Sequence, residues 1–398
     1  MRHRVPDIDF WRGFFLIVIV IDHIPGNLFD RLTPMNFGFS DAAEAFVFLS
    51  GVSAGLVYLP KAKARGFSWV TSACMRRAFK LYYTHILLTL CGLVLFVAIY
   101  RSSGVEALST APFFSLDLRS YANVFALLTL NYQLAWFDVL PLYVVSMLWA
   151  PIALILTLRD PRLALAASGT LYLATRLCSH AHVFPDCWPY PNGLYFNPIA
   201  WQLIFTIGIV CAATWPGREC RAWPKLVALS GIIVVGALIV STDAFGLTPG
   251  LERGTLPHLD AYKARLGLGR LIHFMALAYL VALASVLFPY IARMISSAAG
   301  RAFQGLGRNS LAVFFFGSLL SAGGRASVAL FSVEAPWINS SLLGAAYTSV
   351  SVAALFAAGL WIMRRDSLSN ALEGGAAAAV QTPSPYAGLV EGAPQPEL

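Results

Sequence analysis

Charged residues are scarce in this chain. Asp, Glu, Lys and Arg together make up 12% of its residues, whereas a soluble domain contains about 25%. Hydrophobic residues make up 58%, against about 45–50% in a soluble domain. This imbalance excludes an ordinary soluble domain. It favours a helical protein that crosses a membrane several times, because many of the apolar runs have the length of a span.

Cysteine is also scarce, and no metal-ligand spacing is present. Three of the six cysteines, Cys74, Cys91 and Cys211, lie in or beside apolar runs. No Cys/His spacing resembles a zinc site, so we predict no bound metal. Cys178 and Cys187 flank a loop, and whether they form a disulfide is not decided by their spacing alone. The sequence contains no internal repeat and no nucleotide-binding glycine loop.

Basic residues outnumber acidic ones, giving a net charge of +8. They fall in short clusters between apolar runs, which is the positive-inside signal of a membrane protein and not a nucleic-acid-binding pattern. The first apolar run carries Asp9, Arg12, Asp22 and His23, and no small-x-small site follows it. We therefore do not expect it to be a cleavable signal peptide.

Eleven apolar segments follow one another along the chain. They are residues 8–25, 41–59, 81–100, 121–135, 138–158, 163–179, 198–215, 225–242, 269–290, 309–330 and 341–363. We expect 121–135, which is short and diluted by polar residues, to be a re-entrant or interfacial helix on the outer side. If the basic clusters lie on the cytoplasmic side, the other ten segments predict an all-α polytopic transmembrane bundle of about ten spans over residues 1–365, with both termini cytoplasmic. Residues 366–398 are predicted to be a disordered cytoplasmic tail.

An arginine and a histidine lie at the two ends of the first segment. Eleven steps of about 100° bring Arg12 and His23 to one helix face, separated by a rise of roughly 16 Å. Ionisable groups in a membrane helix are costly and by default indicate function. Histidine is the usual general base near neutral pH, so His23 is a candidate base for acyl transfer to a hydroxyl. The alternatives are an interfacial histidine and a basic topology anchor.

Two carboxylates open the second segment on the same predicted outer side. Asp41 and Glu44 are three residues apart and share a helix face. We expect Glu44 to orient His23 and fix its tautomer, as a carboxylate does in catalytic triads. Asp22 is next to His23 in sequence and points about 100° away, so it is not the obvious orienting group.

A cluster of cations precedes the third segment, in Arg76-Arg-Ala-Phe-Lys80. Arg77 and Lys80 are three residues apart and form a two-cation grip, with Arg76 beside them. The planar guanidinium of arginine suits phosphate, so this grip is a candidate site for the phosphates of coenzyme A. Juxtamembrane basic residues are also an ordinary feature of topology.

Polar residues also mark the outer starts of two later segments. Trp201 and Gln202 lie in the first turns of one of them, where they would stack on and hydrogen-bond a sugar or acyl group; a capped helix start is the alternative. Arg270 and His273 lie three residues apart on one face of the other. The excess of positive charge at this outer edge favours an anionic ligand such as a dicarboxylic acyl group.

Together these residues resemble the OpgC proteins. The resemblance rests on Asp9-Phe-Trp-Arg-Gly13, the ten residues between Arg12 and His23, Asn36-Phe-Gly-Phe-Ser-Asp-Ala-Ala-Glu-Ala-Phe-Val-Phe-Leu-Ser-Gly51, Asn197-Pro-Ile-Ala-Trp-Gln202 and Gly307-Arg-Asn-Ser-Leu311. OpgC proteins are bacterial inner-membrane enzymes that succinylate osmoregulated periplasmic glucans, and they are similar to the type 3 membrane acyltransferases. The resemblance covers roughly residues 5–363 and is most specific in the first 55 residues.

The resemblance implies an inner-membrane O-acyltransferase that moves a succinyl group from cytoplasmic succinyl-CoA to hydroxyls of a periplasmic glucan, with no bound cofactor. It implies that His23 is the catalytic base and that Arg12 contacts the donor. Arg77 and Lys80 stand where the superfamily has an Arg-x-x-Arg pair, so a point charge replaces the second planar fork. Two other functions stay open: acetyl transfer from acetyl-CoA to another envelope polysaccharide, and transport of an anionic solute. Against transport, the sequence lacks paired discontinuous helices in matching halves.

Overall fold

The computed structural model describes residues 5–103, 120–132, 134, 137–177, 195–214, 221–242, 260–334 and 339–380, with 366–380 as backbone only. In this part of the chain the regular structure is entirely helical. The predicted all-α class is therefore confirmed. Cys178 and Cys187 lie outside the described residues, so their pairing stays open.

The helices follow the apolar segments closely. They are α1 (Pro6–His23), α2 (Ala42–Ser103), α3 (Tyr121–Leu128), α4 (Val139–Arg159), α5 (Pro161–Leu177), α6 (Pro198–Thr214), α7 (Pro224–Thr242), α8 (Leu268–Leu287), α9 (Pro289–Ser296), α10 (Ala298–Arg308), α11 (Ser310–Glu334) and α12 (Ser340–Val380). Two short 3₁₀ turns, Leu28–Leu32 and Pro34–Asn36, lie between α1 and α2.

Six of the described helices are long and apolar enough to cross a membrane. These stretches are Ala42–Arg101, Val139–Arg159, Pro224–Thr242, Leu268–Leu287, Ser310–Val333 and Ser340–Arg365. The protein is therefore membrane-embedded. The total of about ten spans and the cytoplasmic position of both termini stay predictions.

Three features differ from the sequence-based expectation or refine it. The segments 41–59 and 81–100 lie in two helical parts of α2, before and after a non-helical break at Gly66 (φ 78°, ψ −178°). Helices α9 and α10 occupy residues 289–308. The sequence predicts this stretch only as a basic connection between the apolar segments 269–290 and 309–330. The eight residues of α3 rise about 12 Å, which is too short to cross a membrane. Its place relative to the membrane stays a prediction.

Helix α12 extends beyond the domain boundary predicted at residue 365. The backbone of α12 remains helical to Val380, so the helix continues into the segment expected to form the tail. The domain boundary at residue 365 stays a prediction. Residues 381–398 lie outside the described chain, and disorder there stays a prediction.

Gly66 bends α2 sharply. Its positive φ lies in the left-handed region that glycine adopts most readily. Ser53 before the break and Arg77 after it both lie near Arg12, so the two parts of α2 turn toward the same region of the bundle. Arg65 lies over the ring of Trp69 across the bend, 5.2 Å from its centroid.

Glycines hold α1 against α10 at backbone distance. A Cβ atom on Gly13 would lie 1.9 Å from the carbonyl oxygen of Phe303, and one on Gly307 would lie 1.8 Å from that of Asp9. Small residues commonly permit such close helix contacts in membranes. These two contacts fix the first half of α1, which carries Arg12, against the amphipathic helix α10.

We expect Gly13→Ala to destabilise the protein, because the added methyl group has no room against the backbone of α10. Overpacking of this kind costs about 1–3 kcal/mol, which should appear as a lower midpoint of thermal unfolding in detergent. Gly231→Ala is the matched control, since a Cβ there meets nothing within 4 Å and alanine favours a helix. Equal midpoints for the two variants would contradict the close contact.

Candidate active site

Arg12 lies where α1, α2 and α11 meet. Its Nη1 donates to the Ser53 hydroxyl of α2 at 3.4 Å, and its Nη2 donates to the Ser310 hydroxyl of α11 at 2.6 Å. Arg77 and Tyr143 lie close enough for their charges or dipoles to act on it. Arg12 is therefore held by neutral hydroxyls, and Asp9 also lies close enough for its charge to act on the guanidinium.

An apolar cleft lies farther along α1, toward His23. Its empty volume is about 380 Å³, which includes the open solvent at its mouth. The residues that line it are Leu16, Ile19, Val20 and His23 of α1, Val313, Phe314, Gly317, Ser318, Ser321 and Ala322 of α11, and Phe137. Arg12 precedes Leu16 by one helical turn on the same face, and its partner Ser310 precedes Val313 by one turn. Arg12 therefore lies about one turn outside the lining, whereas His23 belongs to it.

The hydrogen bond of His23 defines which ring nitrogen is the base. Nδ1 lies 2.5 Å from the carbonyl oxygen of Ile19. A carbonyl only accepts, so Nδ1 carries the proton and Nε2 keeps its lone pair. In the described part of the chain Nε2 makes no hydrogen bond, and it is not among the buried unpartnered atoms. A neutral imidazole with an accessible Nε2 is the form that a general base requires.

Glu44 does not orient His23, and that prediction is wrong. Its side chain is fully buried. Oε1 accepts a hydrogen bond from Nε of Arg270 at 2.7 Å, and Oε2 accepts one from the backbone N–H of Asp41 at 2.8 Å. The orienting partner of His23 is the carbonyl of Ile19, one turn earlier in its own helix. A main-chain group holds the tautomer where a carboxylate was expected.

Asp41, Glu44, Lys263 and Arg270 form a buried ion cluster. Oδ2 of Asp41 accepts from Nζ of Lys263 at 2.8 Å and from Nη2 of Arg270 at 3.0 Å. Burial opposes ionisation of Asp41, but these two cations outweigh it and hold the pKa of the carboxyl below its ordinary value. Burial likewise disfavours the charged form of Lys263, yet Asp41 and Glu44 raise its pKa. The cluster thus brings two carboxyl groups and two cationic side chains into direct contact.

The prediction that Arg270 and Asp41 bind the acyl group or acceptor stays a prediction, but the structure places both residues in this cluster. Arg270 is 6% exposed, and its guanidinium bonds both carboxylates. An arginine neutralised in this way adds little attraction for a further anion. The cluster instead joins α8 to the start of α2.

His273 has a structural contact, and its prediction as an acyl-group ligand stays a prediction. Its Nδ1 accepts from the backbone N–H of Ser40 at 3.3 Å and lies 2.8 Å from the Ser40 hydroxyl. Its ring packs against Gly38, where a Cβ atom would lie 2.4 Å from Nε2. The side chain is buried, so it fastens the loop before α2 to α8.

Trp201 and Gln202 do not present an open face to a ligand, which corrects their interpretation as sugar or acyl contacts. The indole of Trp201 is 0% exposed, and its Nε1 donates to the carbonyl of Lys263 at 3.1 Å. Gln202 bonds Ser168 of α5 through its Nε2 to the backbone carbonyl at 2.9 Å and through its Oε1 to the hydroxyl at 2.6 Å. Both residues hold α6 to its neighbours.

The cations predicted to be cytoplasmic, Arg76, Arg77 and Lys80, are only partly brought to the site. Arg77 lies close enough to Arg12 for the two charges to interact. Arg76 and Lys80 are exposed on α2 after the break. The predicted grip on phosphate by these three residues stays a prediction.

Two charged residues were missed in the sequence: Arg325, which contacts His23, and Asp138, which adjoins the cleft residue Phe137. Arg325 of α11 donates from Nη2 to the backbone carbonyl of His23 at 3.3 Å. Asp138 precedes α4 and lies next to Phe137 of the cleft, and burial raises the pKa of its carboxyl to about 6. Arg325 falls inside the apolar segment 309–330, and an arginine within such a segment is by default a functional candidate. The position of Arg325 in this segment could therefore have been recognised from the sequence.

Comparison with known families identifies the chain. A family model described as OpgC protein matches residues 4–367, a range that contains every candidate residue discussed above. No curated protein and no solved structure matches the chain. The sequence resemblance is therefore confirmed at the level of the family.

We expect Arg270→Gln to destabilise the protein strongly, because it leaves Glu44 buried without its cation. Breaking a buried ion pair on one side costs about 3–5 kcal/mol, measurable as a lower unfolding midpoint in detergent. Arg162→Gln is the control, since Arg162 is exposed and such surface changes cost little. The double variant Glu44→Gln/Arg270→Gln should recover part of the loss. A single Arg270→Gln variant as stable as the control would contradict the role of the cluster.

Proposed function

Because the chain belongs to the OpgC protein family, we propose that it is an inner-membrane O-acyltransferase that moves a succinyl group from cytoplasmic succinyl-CoA to a hydroxyl of a periplasmic glucan. The observation that carries the proposal is the neutral imidazole of His23, with an accessible Nε2, in the lining of an apolar cleft whose other end lies one helical turn from Arg12. A cation at one end and a base at the other are what a charged acyl donor and a hydroxyl acceptor require.

In the proposed reaction Nε2 of His23 accepts the proton of the glucan hydroxyl. The oxygen attacks the thioester carbonyl carbon of the donor, and a carbon–oxygen bond forms. The carbon–sulfur bond then breaks, and the departing thiolate takes the proton back from Nε2, which yields the ester and coenzyme A. The carbonyl of Ile19 keeps its hydrogen bond to Nδ1–H through both proton transfers. No atom of the protein is consumed.

The donor is proposed to enter from the end that carries Arg12. The guanidinium of Arg12, supported by the charge of Arg77, attracts the anionic donor, and its two serine partners keep it aimed along the cleft. The walls formed by α1 and α11 are mostly apolar. Such walls exclude water and so protect the thioester from hydrolysis.

We expect His23→Ala to lower the rate of glucan succinylation by about 10²–10⁴-fold, the usual contribution of a general base. The measurement is the mass of glucan incubated with purified protein and succinyl-CoA. Protein level and unfolding midpoint are recorded in parallel, with Arg162→Gln as the control for substitution of a polar residue away from the cleft. Wild-type activity in a folded His23→Ala protein would overturn the proposal.

The role of the cleft in binding the donor is tested by filling the cleft with a larger side chain. Ser318→Trp places an indole in the cleft, and we expect kcat/KM for succinyl-CoA to fall roughly 10²-fold, because misplaced reacting groups lose this much. Phe316→Trp on the same helix is the matched control, since Phe316 is 60% exposed and points away from the cleft. If both variants kept full activity, the donor would have to take another path.

A further inference from the structure

Asp138 places a carboxylate near the end of the cleft that carries His23. It follows Phe137, which belongs to the lining of the cleft, and it directly precedes α4. Lys263 and Asp41 lie close enough to Asp138 for their charges to act on it, and the same two residues act on His23. Asp138 and the proposed base therefore lie around the same ion pair.

No structural contact accounts for this carboxylate. Asp138 is the N-cap residue of α4, and the backbone N–H groups of Asp138 and Val139 act on its side chain, but it makes no capping hydrogen bond. In the part of the chain that the structure describes it forms no salt bridge, since the amine of Lys263 is bound by Asp41 at 2.8 Å. The residue is partly exposed, and neither of its oxygens is among the buried atoms that lack a partner. The carboxylate is thus open to a ligand.

Tyr195 presents an aromatic ring beside this carboxylate. Its phenol lies close enough to Asp138 and Lys263 for their charges to act on it, and the residue is 48% exposed. The next residue, Phe196, supports it: the centroid of the Phe196 ring lies 5.0 Å from that of Tyr195 and 4.7 Å from that of the buried Trp201. An exposed ring on a packed support therefore lies near the same end of the cleft.

These two groups suit a sugar better than the anionic donor. A carboxylate only accepts hydrogen bonds, so it favours a ligand rich in hydroxyl donors, and hydrogen bonds to a charged acceptor are the stronger ones. The phosphates and the acyl carboxylate of succinyl-CoA carry charges of the same sign as Asp138, which repels them. The ring of Tyr195 offers a large apolar face with a polar edge, which matches the C–H face of a pyranose ring.

We propose that Asp138 and Tyr195 bind the acceptor glucan at the end of the cleft that carries His23. The carboxylate accepts hydrogen bonds from sugar hydroxyls, and the ring of Tyr195 packs against a pyranose face. Together they hold one hydroxyl at Nε2 of His23, while the donor occupies the cleft. This inference rests on the proposed function, since it requires an acceptor hydroxyl at His23. It assigns recognition of the sugar to residues other than Trp201 and Gln202, which the sequence suggested.

The experiment separates recognition of the acceptor from recognition of the donor. Wild-type protein and the variants Asp138→Asn, Asp138→Ala, Tyr195→Ala and Tyr195→Phe are purified in detergent, and their unfolding midpoints are recorded. KM is measured for glucan at saturating succinyl-CoA and for succinyl-CoA at saturating glucan. Asp160→Asn is the matched control, because it makes the same change beyond the opposite end of α4 and its amide oxygen can keep the hydrogen bond from the backbone N–H of Arg162.

We expect Asp138→Asn to raise KM for glucan on the order of 10-fold and Asp138→Ala to raise it on the order of 10–100-fold, because hydrogen bonds to a charged group are lost. KM for succinyl-CoA should not change. At saturating glucan kcat should change little, since the lost contact binds substrate and transition state alike. Tyr195→Ala should raise KM for glucan roughly 2–10-fold, whereas Tyr195→Phe, which keeps the ring, should resemble wild type.

An unchanged KM for glucan in folded Asp138→Ala and Tyr195→Ala proteins would overturn the inference and leave the acyltransferase proposal standing. A rise in KM for both substrates, or a fall in kcat alone, would overturn it as well, because neither is the effect of a lost acceptor contact. A wild-type protein that transfers no succinyl group would refute the proposed function itself. Calorimetric titration of glucan without donor would then decide the inference: a weaker Kd in Asp138→Ala supports the site, and an equal Kd refutes it.

Discussion

Charge inside a membrane protein has to be compensated by the protein itself, and this constraint arranges the whole structure. Asp41, Glu44, Lys263 and Arg270 meet this requirement among themselves. Their cluster fastens α8 and the loop before it to the start of α2, and thereby closes one side of the bundle near His23. Removing one member leaves its partner buried and ionised, which is far more costly than the net gain from the intact pair. The cluster therefore fixes geometry rather than binding a ligand.

Arg12 and His23 have neutral hydrogen-bond partners instead of partners of opposite charge, and this difference serves the proposed reaction. Two serine hydroxyls hold Arg12, and a backbone carbonyl holds His23. Neutral partners orient these groups without cancelling the charge of the arginine or occupying the free lone pair of the imidazole. The same low-dielectric surroundings that make an unpaired charge costly also strengthen its attraction for a substrate. Arg12 and His23, which neutral partners hold, are the residues that the proposed reaction uses.

The sequence predicted the features that depend on a single helix, such as its position in the chain and the residues that share one of its faces. Apolar runs located the helices within a few residues, and helical periodicity placed Arg12 and His23 on one face. The sequence could not predict which helix faces pack against each other. Glu44, for example, pairs with Arg270, which lies 226 positions away. Helices α9 and α10 were missed because their amphipathic pattern lacks a long apolar run. Trp201 and Gln202 were misinterpreted because a helix start was assumed to be open to the surface, whereas α6 is packed among α2, α4 and α5.

The main-chain partner of His23 has a consequence for the order of proton transfers. A carboxylate beside Nδ1 would stabilise the imidazolium, as in a catalytic triad. The carbonyl of Ile19 is neutral, so it stabilises the imidazolium less, and a nearby Arg325 disfavours it further. A charged imidazolium is therefore costly here and should persist only until the departing thiolate can accept its proton. Base and donor consequently have to meet in the same cleft, which is the arrangement that α1 and α11 provide.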